Sequence, residues 1–106
     1  MSTTQYQLLR QALVARTPCY AIYDNFPRFF CPHVIGINKK GEEQALCWQY
    51  DGETSDGPIV NPVWKCLAVA KFSQFSVIEA DWHNGEMGRT GVPTFCVSDV
   101  DLKIDL

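Results

Sequence analysis

No apolar run in this chain approaches the roughly eighteen residues that a membrane-spanning helix needs. The opening Met-Ser-Thr-Thr-Gln lacks both the basic and the apolar region of a signal peptide, so a cytoplasmic protein with no membrane partner is expected. Cysteine pairs at C-x-x-C spacing are missing too. The five cysteines (Cys19, Cys31, Cys47, Cys66 and Cys96) are odd in number, and reduced, mostly buried thiols are the simplest account of them. There is no glycine-rich phosphate loop, no Ser-His-Asp pattern and no telling pair of carboxylates, so neither an enzyme nor a cofactor is expected. Positive charge is also short. Nine Lys and Arg against twelve Asp and Glu give a formal net charge of −3, which argues against a protein that coats nucleic acid through surplus cations. The shortage is uneven: residues 1–53 hold five basic and five acidic groups, residues 54–106 four and seven. A local basic face toward the front stays open beside the plainer reading of a solvated, mixed-charge surface.

What the chain does have is apolar and aromatic. A hydrophobic fraction of 46% with 20% charged residues over 106 positions fits one ordinary globular domain. Three Trp, four Tyr and six Phe, with many β-branched residues, favour sheet.

One helix is expected, over Ser2–Ala15. Thr4 and Gln7 make a capping-box pattern, Tyr6, Leu9, Ala12 and Leu13 form a stripe, and Thr17-Pro18 stops it. Such a helix would plug one end of a sheet. Cys19–Tyr23 reads as a first strand and Asp24-Asn25 as a tight turn. Phe26–Asn38 follows as a second strand, where Pro32 predicts an edge position or a bulge. After the Lys39-Lys40-Gly41 turn, Glu42–Tyr50 is the third strand, with Leu46, Trp48 and Tyr50 on one face. Residues 51–62 read as a loop, and loops of that length are often functional or mobile. Val63–Ala70, apolar on both faces, predicts a fourth strand covered on both sides, and Phe75–Ala80 a fifth. Residues 83–94 read as glycine-rich loop, and the alternating Val100–Leu106 as a last strand. One helix with five or six short antiparallel strands predicts a mostly β fold, a small barrel.

At Arg28-Phe-Phe-Cys-Pro-His33, Gly36, Gly41, Trp48-Gln49-Tyr50 and Trp64-Lys65, the chain resembles a WYL-type domain. Leu9–Leu13 and Tyr23 sit where that family's lead helix and first strand would fall, and the resemblance spans about residues 5–80. The slot of the name-giving Trp-Tyr-Leu reads Gln44-Ala45-Leu46 here, and there is no room for the winged-helix domain that usually precedes such a module. The resemblance implies a stand-alone Sm-like (SH3-like) barrel over about residues 18–80, with residues 81–106 as an extension. It implies a non-enzymatic ligand sensor or regulatory module, for a nucleotide or single-stranded nucleic acid.

Five residues are candidates for a ligand site. Arg28 offers a planar fork of donors for phosphate or carboxylate, beside aromatics that can stack; the competing reading packs its stem over Phe29 and Phe30 and pairs it with Asp24. His33, in parity with Phe29, Cys31, Ile35 and Ile37, is either a ligand contact or a hydrogen-bonded core histidine. Tyr50, Trp64 and Lys65 would border the site as a stacking-and-charge platform, against the reading that tryptophan in a small barrel is core. Zinc needs ligands at two-to-four-residue spacing and only Cys31/His33 comes near, so no metal is expected. A different class of function also fits: an interaction module whose edge strands and aromatic faces close a homodimer or dock on a larger partner.

Overall fold

The computed structural model describes residues 4–86 and 96–104. Helix α1 (Thr4–Ala15) buries the expected stripe of Tyr6, Leu9, Ala12 and Leu13; its predicted start at Ser2 lies outside the described residues. It ends in a Schellman arrangement. Thr17 N–H donates to the Ala12 carbonyl at 2.9 Å and Arg16 N–H to that of Leu13 at 3.2 Å, with Arg16 in the left-handed region at φ 53°. Gln5 Nε2 donates to the Phe72 carbonyl at 3.0 Å, and the Tyr6 hydroxyl donates to the Asp101 carboxylate at 2.6 Å. The helix therefore ties two distant parts of the chain together.

Seven antiparallel strands follow: β1 (Cys19–Tyr23), β2 (Phe26–Ile37), β3 (Glu43–Thr54), β4 (Gly57–Pro58), β5 (Val63–Ala68), β6 (Ser73–Val77) and β7 (Asp99–Lys103). β2 is central. One of its edges carries β3; the other carries β1 against Phe26–Phe30 and β7 against Val34–Ile37. Beyond these, β6 pairs with β1, and β5 and β4 pair with β3. The core gathers Leu9, Phe30, Ile35, Leu46, Leu67 and Val69, all but invisible to solvent, with Phe72 stacked on Phe30 at 5.4 Å.

Four expectations need correction. The sheet is open: among the described residues no pairing joins β5 to β6, and the strands number seven rather than five or six. The loop read over 51–62 is partly strand, because β3 runs on to Thr54 and turns back through Ser55-Asp56 into β4. β5 is not covered on both faces; as an edge strand it leaves Val63 and Cys66 exposed, and a 3-10 turn over Val69–Lys71 ends it early. The fifth strand sits earlier than expected because Ser73 pairs with Ile22 despite its polarity, at an edge where only Phe75 is half-buried.

The thiols are the last correction in the fold. Cys19, Cys31 and Cys47 are free and buried, whereas Cys66 and Cys96 form a disulfide across a Cα–Cα distance of 6.2 Å. Their 30-residue separation has no short-range signature in the sequence. No helix among the described residues is long and apolar enough to cross a membrane.

Candidate functional site

Two register shifts on β2 and β3 build the most unusual part of the surface. Between Phe29 and Phe30 the β3 partner jumps from Asp51 to Gln49, which leaves Tyr50 as the extra residue. Between Pro32 and Val34 the partner moves only from Cys47 to Leu46, which leaves His33 as the extra residue. Bulges re-aim side chains and bend the strand that carries them. Pro32 is in register with Cys47 of β3 right beside the second bulge, and on the other edge of β2 it falls in the gap between β1, which ends at Phe30, and β7, which begins at Val34.

Segment 82–86 lies over both bulges like a strap. The Trp82 ring stacks on His33 with centroids 5.1 Å apart, and the His83 ring stacks on Tyr50 at 4.0 Å and 13°. Backbone bonds stitch it down: His83 N–H donates to Cys31 Sγ at 3.4 Å, and Gly85 N–H to His33 Nε2 at 3.0 Å. Trp64 meets His33 edge-on at 5.0 Å and donates its indole N–H to the Glu86 carbonyl at 3.1 Å. Gly85 is required by closeness, since a Cβ there would lie 2.3 Å from the Trp64 ring.

His33 is fully buried, and both its ring nitrogens are engaged. With Nε2 accepting from Gly85, Nδ1 carries the proton and donates to the Cys31 carbonyl at 2.8 Å. Burial lowers its pKa; the Cys31 contact opposes this and the charge of Arg16 adds to it. This is the neutral core histidine of the sequence alternatives.

A row of rings continues from Tyr50. The Asp24-Asn25 turn has both residues left-handed, at φ 52° and 66°, which sets a two-residue hairpin and pairs Tyr20 with Phe29. Their rings are 5.0 Å apart, and Phe29 is 6.5 Å from Tyr50. Tyr20, Phe29 and Tyr50 are half-buried and His83 is exposed, so the row crosses three neighbouring strands and the strap in partial contact with solvent. Burial pushes the Tyr50 phenol up to about 12, so it stays neutral.

Arg28 and Lys65 lie on the opposite face, the one that carries Gln49. Arg28 is only 5% exposed; its Nε donates to the Tyr23 carbonyl at 3.4 Å and its Nη1 to Gln49 Oε1 at 3.3 Å. Its guanidinium sits 4.9 Å from the Tyr23 ring centre, and among the described residues no carboxylate is within ion-pair distance. Gln49, itself buried, passes the contact on by donating to the carbonyls of Asp51 and Glu53. Lys65, half-buried, stands across from Cys47 on the same face. Of the five candidates, the structure thus groups His33, Tyr50 and Trp64 under the strap and separates Arg28 and Lys65 from them.

No protein-family model matches this chain, nor does any curated protein or solved structure.

The chemistry available is that of rings rather than of nucleophiles. Burial pushes the Cys31 thiol up to about 11 and raises Cys19 and Cys47 as well, so these sulfurs are protonated packing groups. Among the described residues no group of three or more His, Cys, Asp or Glu could hold a metal ion. Tyr20, Trp82 and Gly85 were not candidates from sequence, Phe29 was named only as an aromatic beside Arg28, and His83 was not placed in the ligand site. The two-residue turn was enough to place Tyr20 beside Phe29; nothing local points from residues 82–85 to β2 and β3, roughly thirty to fifty positions earlier.

Proposed function

We propose that this chain is a non-enzymatic binding module that takes a base-bearing ligand, a nucleotide or a short single strand, on the row Tyr20–Phe29–Tyr50–His83. The row itself carries the reading. Four rings at 5.0, 6.5 and 4.0 Å run across adjacent strands and keep part of their surface open to solvent. Every base offers a flat face to such rings, and each stack is worth roughly 1–3 kcal/mol. In this reading Arg28 holds Gln49 and the far end of β3 in place, so that Tyr50 is aimed outward. An Sm/SH3-like ancestry of WYL type and a cytoplasmic location fit the same reading. Support for the ancestry comes from a lead helix, the long bent pair β2–β3, and a 3-10 turn leading to a strand that returns to β1. A thermal-shift screen against nucleotides and short oligonucleotides tests it. A ligand at about a hundred times its dissociation constant adds roughly 2.7 kcal/mol of apparent stability, and Tyr50→Ala should lose that shift.

A second reading rests on a different observation. Among the described residues β5 and β6 each have one strand neighbour, and Val63 and Val77 on them are 38% and 44% exposed. Unpaired edges with apolar side chains suit a homodimer or a larger protein partner. Such contacts give a mass that rises with concentration and little salt dependence, whereas phosphate-bearing ligands weaken as salt rises.

A further inference from the structure

The Cys66–Cys96 disulfide plays no part in the ring row. Cys66 is exposed on β5, an edge strand. Cys96 lines an open cavity of about 380 Å³ together with Asn38, Lys39, Lys40, Glu42 and Ser98. The β2–β3 turn shapes that cavity: Asn38 Oδ1 accepts the backbone N–H groups of Lys40 and Glu42 at 2.9 and 3.0 Å, and Asn38 Nδ2 reaches Glu42 Oε1 at 3.4 Å. Two exposed ammonium groups against one carboxylate that Asn38 already holds leave the cavity positive, beside one sulfur of the bond.

We propose that Cys66–Cys96 is an exchange site for a small anionic thiol, a cysteine-containing peptide with carboxylates of the glutathione kind. The lysines draw the carboxylates into the cavity, which raises the local concentration of the thiol. Its thiolate attacks Sγ of Cys66, the more exposed residue of the pair, in line with the S–S bond. That bond breaks, a Cys66–S–S–R mixed disulfide forms, and Cys96 leaves as a thiolate beside Lys39 and Lys40, where positive charge favours the anion. A second thiolate then attacks the R sulfur, releasing R–S–S–R and the Cys66 thiolate. Two small thiols are thereby oxidised by two electrons, and one protein disulfide is reduced. The reverse sequence reseals the bond from R–S–S–R.

The test compares two thiols on the full chain: reduced glutathione, which is anionic, and β-mercaptoethanol, which is neutral. Exchange is quenched with acid and followed by intact and peptide mass spectrometry, for the wild type and for Lys39→Ala/Lys40→Ala. Both lysine side chains are exposed at a turn held by its backbone and the Asn38 side chain, so the variant keeps the fold, checked by its thermal midpoint. The expected result is a glutathione adduct on Cys66, with the double variant slowed about tenfold toward glutathione and little changed toward β-mercaptoethanol. An adduct on Cys96, equal slowing with both thiols, no slowing, or no adduct at all would overturn the proposal.

Discussion

At the scale of single residues, His33 links the sequence to the surface most tightly. It is the bulge residue of β2, and its Nε2 holds the strap through Gly85. Protonation would turn that acceptor into a donor facing another donor. Because the folded-state pKa is lowered, the folded protein binds fewer protons than the unfolded chain below about 6.5, the ordinary histidine value. Stability should therefore be flat above that pH, fall as pH drops through the window between the unfolded and folded values, and level off beneath it. Urea melts of the wild type and His33→Phe across this range check the point, since the difference between the two curves isolates the imidazole. Gly85→Ala is a second test: with the Trp64 ring 2.3 Å from the new carbon, the strap must lift, at a cost of about 1–3 kcal/mol. A shift in tryptophan fluorescence should accompany the loss. Sequence marked His33, Tyr50 and Trp64 as chemistry-bearing, and these do converge. Alternation along β2 already sets Arg28 on the other face from His33, although the sequence reading had put both at one site. Strand alternation was readable, but the register shift that inserts Tyr50 was not.

At the scale of elements, legibility followed the number of neighbours. β1, its turn and the start of β2 were read correctly, because apolar alternation and an Asp-Asn pair act locally. The end of β3 was hidden by Gly52, which looks like loop. It is there because the chain has φ 94° at that point and a Cβ would lie 2.2 Å from the Pro27 carbonyl oxygen. Gly52→Ala should cost about 2–4 kcal/mol by forcing the β2–β3 ladder apart beside Arg28; chemical denaturation reads this directly. β6 was expected a few residues too late, at Phe75–Ala80, for the opposite reason, an exposed edge strand having little apolar face to mark its start. Gln49 joins these elements. Gln49→Leu strands the Arg28 Nη1 donor and two carbonyls, so a loss of about 3 kcal/mol is expected by the same melts.

At the scale of the whole molecule, a central two-strand unit carries everything else. β2 and β3 support β1, β5 and β7 on their edges, α1 crosses from Phe72 to Asp101, and the strap covers the bulged face. Those long-range arrangements, like the Cys66–Cys96 bond, have no local sequence signature; they arise only when distant segments pack. On this frame, the role proposed for the ring row is to stack bases. Fluorescence anisotropy of a labelled short oligothymidylate tests it most directly, with the wild type, Phe29→Leu and Tyr50→Leu titrated at low and moderate salt. Saturable binding that weakens by about 1–3 kcal/mol in each ring variant is the predicted result. Binding equal in all three proteins, or none by the wild type, would rule that role out.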